Sequence, residues 1–162
     1  MCITLSDIIQ ILILVTLVYT AYAAIKSLNE TKKIHFNNLD WNKKNRSVDI
    51  MKEFRDFKNK MNSELQLNIY TNNVELELDE ILNRIKKSKS YESSLNNYLN
   101  FYEGISIGIL KGLYDEEIIK SSRKTTFIHT YNEFKNYILY RRKTNNSVAW
   151  RNFEILIKKW NN

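Results

Sequence analysis

From Ile8 to Ile25 the chain runs for eighteen residues, IIQILILVTLVYTAYAAI, without a formal charge. As a helix rising ~1.5 Å per residue this stretch is roughly 27 Å long, close to the ~30 Å hydrocarbon core of a bilayer. Ten of its residues are Leu, Ile or Val, together about −3 to −6 kcal/mol on an insertion scale. Gln10, Thr16 and Thr20 subtract from that gain. Tyr19 and Tyr22 lie near one end, where amphipathic rings favour the interface. Ser6 or Asp7 can cap the helix start. Two other readings compete with a span. A secretory signal would suit the small residues Ala21, Ala23 and Ala24, but no Lys or Arg precedes the apolar run. A core helix buried in a soluble domain would have the same length. A single transmembrane span is the reading carried forward.

Flanking charge sets the expected orientation. The N-terminal side offers Asp7 and no basic side chain, whereas Lys26, Lys32 and Lys33 follow the run within a few turns. The positive-inside rule then places everything after the span in the cytoplasm, with the chain as a single-pass protein of the inner membrane. The expected division is an anchor over 1–28, a juxtamembrane helix or linker over 29–46, and a helical domain over 47–162. The net charge of +7 is uneven: residues 26–60 carry ten Lys/Arg against five Asp/Glu, 61–120 six against ten, and 121–162 nine against two. Basic ends around an acidic middle suit a domain close to anionic lipid headgroups. They match no recognised nucleic-acid module. The expected partners are the bilayer, its anionic headgroups and an unidentified protein, with homo-oligomerisation left open.

There is no proline, and glycine occurs only at 104, 108 and 112. Such a chain has few sharp turns and favours long helices. Cys2 is the sole cysteine, which excludes an intrachain disulfide and a cysteine zinc cluster; lipidation beside the membrane is the functional option for it. Heavy use of Lys, Asn and Ile suggests an AT-rich bacterial or phage source.

Apolar residues recur at helical spacing throughout. Residues 26–46 should continue the first helix for some turns and then loosen through Asn37, Asn38, Asn42 and Asn45. Ser47 can cap a helix with Val48, Met51, Phe54, Met61 and Leu65 on one face. Asn73 can start a shorter helix through Ile81 and Ile85, and Lys86–Ser90 reads as a loop. A long helix from about Tyr91 to Lys111 ends at Gly112 in a Schellman motif. Asp115 caps the next, which carries Phe127, Tyr131, Phe134 and Leu139 and is weakest near Ser121–Thr126. Ser147 starts the last, with Trp150, Phe153, Ile157 and Trp160. The expected fold is all-α: an N-terminal transmembrane helix followed by an antiparallel bundle of four or five helices.

Few residues offer chemistry. Gly104 and Gly108 share a helix face, and helical glycine costs roughly 1 kcal/mol against Ala, so a packing or interaction face is expected there. Glu103 lies among apolar and aromatic residues and, if buried, needs a partner such as Arg123, Arg141 or Arg142. Arg123 and His129 form Arg-x5-His, which resembles the motif of a family of all-helical ribonucleases in defence and toxin systems. That resemblance implies a His acting in acid–base transfer and an Arg holding phosphate; the residue after that family's Arg is usually small and polar, and here it is Lys124. No Walker or dinucleotide loop and no His-Glu-x-x-His is present. No cofactor or metal is expected; the cluster Glu75, Glu77, Asp79 and Glu80 reads as a solvated acidic helix start.

The run Tyr98-Leu99-Asn100-Phe101-Tyr102-Glu103-Gly104-Ile105, followed by Lys111-Gly112-Leu113-Tyr114-Asp115-Glu116-Glu117, resembles the central signature of a bacterial and phage group known as domain of unknown function 4760. Phe134-Lys135-Asn136-Tyr137-Ile138 with Arg141-Arg142, and Trp150 through Phe153 to Trp160, are similar to its C-terminal pattern. The resemblance implies a membrane helix joined to a helical domain and carries no family activity. The functional expectation is a sensor, scaffold or effector working through protein contacts. The alternatives are a membrane-tethered ribonuclease using Arg123 and His129, or a phage-defence effector that damages the membrane.

Overall fold

A computed structural model describes residues 5–65, 75–145 and 147–162. Its elements are five helices: α1 (Leu5–Leu65), α2 (Leu78–Lys87), α3 (Lys89–Leu110), α4 (Glu116–Thr144) and α5 (Arg151–Asn161). No strand occurs among the described residues. Cys2 and the expected helix start at Asn73 lie outside them. The chain divides into two units, Met1–Asn42 and Lys43–Asn162, and α1 contributes residues to both.

In the first unit α1 is the one described element. Its best eighteen-residue window has a mean hydropathy of 2.2, and none of it is buried within the chain. Among the described residues nothing covers this window, so it is not a core helix of the single chain. Among the described residues one helix is long and apolar enough to cross a membrane. Its hydroxyls bond back to their own helix: Thr16 Oγ1 donates to Leu12 O at 2.5 Å and Thr20 Oγ1 to Leu17 O at 2.9 Å. Polar groups satisfied within the segment lower the cost of an apolar surrounding. The expected loosening through Asn37, Asn38, Asn42 and Asn45 does not occur; all four are helical. Each Asn costs only a fraction of a kcal/mol in propensity, and no Gly or Pro interrupts the run.

The second unit holds the core. The last turns of α1 supply Phe54, Met61 and Leu65, α2 supplies Ile81, and α3 supplies Leu95, Tyr98, Leu99, Tyr102, Ile105 and Ile109. From α4 come Ile119, Phe127, Phe134 and Ile138, and from α5 Phe153, Leu156, Ile157 and Trp160. Val48 and Leu139, expected on core faces, are instead 45% and 40% exposed. At the centre Phe127 stacks on Phe54 at 5.8 Å, and its ring meets Tyr102 at 4.8 Å and Trp160 at 5.3 Å. Three buried hydroxyls form a closed set inside this apolar wall: Tyr98–Tyr102 at 3.2 Å, Thr130 to Tyr102 at 3.0 Å and Tyr98–Thr130 at 3.5 Å. Burial pushes the Tyr102 phenol well above its ordinary range, so it stays a neutral structural hydroxyl.

Several boundaries differ from the sequence expectation, each for a local reason. Ser47 is not a cap. It is fully buried inside α1, donates to Lys43 O at 2.9 Å and accepts the Asp115 backbone N–H at 2.6 Å. It thus serves the turn before α4 rather than its own helix. The expected loop Lys86–Ser90 shrinks to Ser88, whose N–H donates to Arg84 O and Ile85 O. The α3 terminus is a Schellman motif: Gly112 has φ +71°, its N–H donates to Ile109 O, and the Leu113 N–H donates to Gly108 O at 2.8 Å. Asp115 Oδ1 accepts from the Glu117 and Ile118 N–H groups, as an N-cap should. α4 does not break at Ser121–Thr126; Ser121 and Ser122 return their hydroxyls to Ile118 O within a continuous helix. α5 begins at Arg151 rather than Ser147, since Trp150 takes a left-handed conformation at φ 51°.

Candidate functional site

Arg123 and His129 are not brought together. Both lie on the unbroken α4, six residues and so about 120° apart around the axis. The Arg123 guanidinium lies over the Phe54 ring at 5.1 Å, and its Nε is closed to solvent without a partner. His129 is exposed. Arg123 instead belongs to a charged seam with Lys58 and Glu133. Burial, then Arg123, pulls the Lys58 ammonium down, while burial pushes the Glu133 carboxyl up against the opposing pull of Lys58 and Arg84.

The glycines part company. A Cβ on Gly108 would stand 2.2 Å from the Tyr114 ring, so glycine there admits that ring. Gly104 is exposed and a Cβ on it would meet nothing within 4 Å. Gly104 is therefore not a packing position within the chain, and only its role toward something outside stays open. Lys26, Lys32 and Lys33 are exposed on α1. Among the described residues no group of His, Cys, Asp and Glu could hold a metal ion, and Glu80 pairs with Arg84.

Glu103 has a partner, but not an arginine. Its Oε1 accepts from Asn152 N at 3.2 Å and Asn152 Nδ2 at 2.7 Å, and its Oε2 from Phe153 N at 2.7 Å. Those two backbone N–H groups belong to the first turn of α5. The carboxylate stands in for the N-cap side chain that Trp150 cannot supply, and it meets the positive end of the helix.

Around it lies a polar cleft of about 380 Å³ lined by Asn96, Asn100 and Glu103 of α3, Arg141 of α4, and Val148–Trp150. The three α3 residues follow at spacings of four and three and so share one face. Asn96 Oδ1 accepts from Tyr137 Oη at 3.2 Å, and Asn100 Oδ1 accepts from Trp150 Nε1 at 2.9 Å. Arg141 Nη1 donates to Glu92 Oε1 at 2.8 Å and to Tyr137 Oη at 2.9 Å, while its Nε is buried with no acceptor. Arg142 clamps the lip: it donates to Ala149 O at 2.7 Å and Trp150 O at 3.1 Å and pairs with Glu154. Lys158, then Arg142, hold the Glu154 carboxyl below its ordinary range.

Trp150 is the non-glycine residue at positive φ among those described, a conformation costing on the order of 1–3 kcal/mol. The Asn100 bond, the Arg142 clamp and burial of the ring hold it there. Helical spacing alone places Trp150 inside a helix and gives Asn96 no role of its own. The signal that could have found the cleft was the polar line Asn96, Asn100, Glu103 along a helix otherwise rich in apolar residues.

The model of the family described as domain of unknown function (DUF4760) matches residues 10–160. No curated protein and no solved structure matches the chain.

Proposed function

For this chain, which belongs to the DUF4760 family, we propose a single-pass protein of the inner membrane whose helical body, an antiparallel bundle, stands in the cytoplasm. It acts as a sensor, scaffold or effector through protein contacts. The observation that carries this reading is the wholly unburied apolar window of α1. The same helix goes on to place Phe54 and Leu65 in the core of the body. An unburied window of that length calls for a solvent other than water, and the bilayer supplies it. Exposed Lys26, Lys32 and Lys33 favour the orientation with the body inside, beside anionic headgroups.

Contacts rather than catalysis suit a body whose buried titratable groups serve packing. The Tyr98–Tyr102–Thr130 set is closed within the core, and Glu103 is spent on α5. The ribonuclease alternative needs Arg123 and His129 in one cleft, and on α4 the two stand about 120° apart.

A reporter fused after Asn162 tests the proposal. Activity only in the cytoplasmic form of the reporter is expected. Activity in the periplasmic form would overturn the orientation, and a mature chain starting near Ala24 would replace the anchor with a cleaved signal.

A further inference from the structure

We infer that α1 pairs in parallel with the α1 of a second copy, along a seam that runs from Gln10 to Asn42 within the first unit. The seam is read from charge. Positions taken alternately four and three residues apart from Gln10 lie on one side of the helix, at the spacing of a two-stranded coiled coil. Within the span they include Leu14, Leu17, Ala21 and Ala24, and past it Leu28, Thr31, His35, Asn38 and Asn42. None of them is an acid, a lysine or an arginine. Yet five such residues, Lys26, Glu30, Lys32, Lys33 and Asp40, fall between Gln10 and Asn42. Lys26, Lys33 and Asp40 take the heptad position farthest from the seam, the same one that turns Tyr19 toward lipid. Every residue from 5 to 42 is exposed on the single chain.

Lipid does not reach the whole seam. Leu28, Ile34, Leu39 and Trp41 are exposed apolar side chains past the span. Trp41 lies sixteen residues beyond Ile25, roughly 24 Å along the helix, whereas headgroups add only about 5–8 Å to each side of the hydrocarbon. Leu28 is on the seam, Ile34 and Trp41 border it on one side and Leu39 on the other, so a facing helix covers all four; Phe36 stands outside this strip. In a parallel pair Ile34 of one copy meets Leu39 of the other, and Lys32 meets Ser27, so no like charges oppose. The occupant is a second copy because the seam complements itself. Gln10, Asn38 and Asn42 carry carboxamides, which donate and accept at once. In parallel register each meets its own counterpart at the same depth, and an amide bonds to its twin where a charged group repels it. The inference rests on the membrane reading, which gives both copies one orientation.

The test uses the full chain with Cys2→Ser, in isolated membranes, carrying one new cysteine at a time. Leu28→Cys and Asn38→Cys lie on the seam; their neighbours Asn29→Cys and Asn37→Cys lie off it. Copper–phenanthroline oxidation and non-reducing electrophoresis should give at least ~5-fold more dimer from the two seam variants, because a disulfide needs Cα atoms within about 7 Å. Asn38→Asp sets two carboxylates face to face and should lower dimer formation of the Leu28→Cys chain at least ~5-fold. Asn37→Asp, the same change one residue away, should leave it unchanged. No dimer from the seam cysteines, equal yields on and off the seam, cross-links only to other proteins, or an Asn38→Asp chain that pairs as well as its parent would overturn the inference. Membrane pelleting is scored on the same samples. A chain that pellets without seam cross-links breaks the pairing alone; a chain absent from the pellet breaks the anchor and the pairing with it.

Discussion

The two units of this chain use the same kinds of residue for opposite ends. Up to Asn42, Leu, Ile and Val point outward: Leu14 is 62% exposed and Val18 63%. Beyond Lys43 many such side chains go inward, Val48 and Leu139 being among the exceptions, and Phe54 and Leu65, on the same helix, are fully buried. Hydroxyls bond back to their own helix in both units, Ser47 to Lys43 and Ser122 to Ile118 among them, but in the second unit polar groups also reach across elements. In the first unit Thr16, Thr20 and Thr31 bond to their own helix. In the second, Ser47 reaches the turn before α4 and Glu103 caps α5. A segment that satisfies itself is suited to lipid; a segment whose polar groups satisfy one another across elements is suited to a folded body in water.

The sharpest way to break this contrast is to truncate one apolar side chain in each unit. Phe127→Ala should destabilise the body by about 3–5 kcal/mol in denaturant unfolding, because its ring contacts Phe54, Tyr102, Phe153 and Trp160. Leu14→Ala should leave that transition where it is. Equal effects from the two would mean that the first unit has a hidden core.

Glu103→Ala removes a carboxylate that satisfies two first-turn N–H groups of α5 and should cost about 1–2 kcal/mol in the same measurement. Glu103→Gln keeps an acceptor and should cost less. If Glu103→Gln is as damaging as Glu103→Ala, the charge at the helix end, not the hydrogen bond, is what matters.

The glycines give effects of opposite sign, and the one at Gly104 is the smallest. Gly108→Ala drives a methyl into the Tyr114 ring and should cost about 1–2 kcal/mol. Gly104→Ala adds a methyl in open space on the same helix and should stabilise by ~0.5–1 kcal/mol. A destabilised Gly104→Ala would show that something outside the chain packs there.

Much of this was legible in the residues. The apolar run marked the exposed window, and Gly112 and Asp115 marked the end of α3 and the start of α4, because those signals are local. What stayed hidden depends on groups distant in sequence. Ser47 looked like a cap because nothing near it in the chain shows that Asp115 will need its oxygen. Glu103 looked like half of an ion pair because its partners are backbone N–H groups forty-nine and fifty residues on. Ser147 looked like the start of α5 because Trp150 is a poor choice for a left-handed position. Only its bonds to Asn100 and Arg142 make that position tenable. The cleft of Asn96, Asn100 and Arg141 was hidden for the same reason: three elements meet there, and no single motif spans them.

Retention in the membrane after alkaline carbonate extraction tests the central claim most directly. The natural chain should stay in the membrane pellet. A Leu14→Arg, Val15→Arg variant should move to the supernatant, since each Arg near the centre of a span costs roughly 2.5–3.5 kcal/mol on the insertion scale. A natural chain that extracts fully, or a double variant that is retained as well as the natural chain, would show that α1 does not span the bilayer.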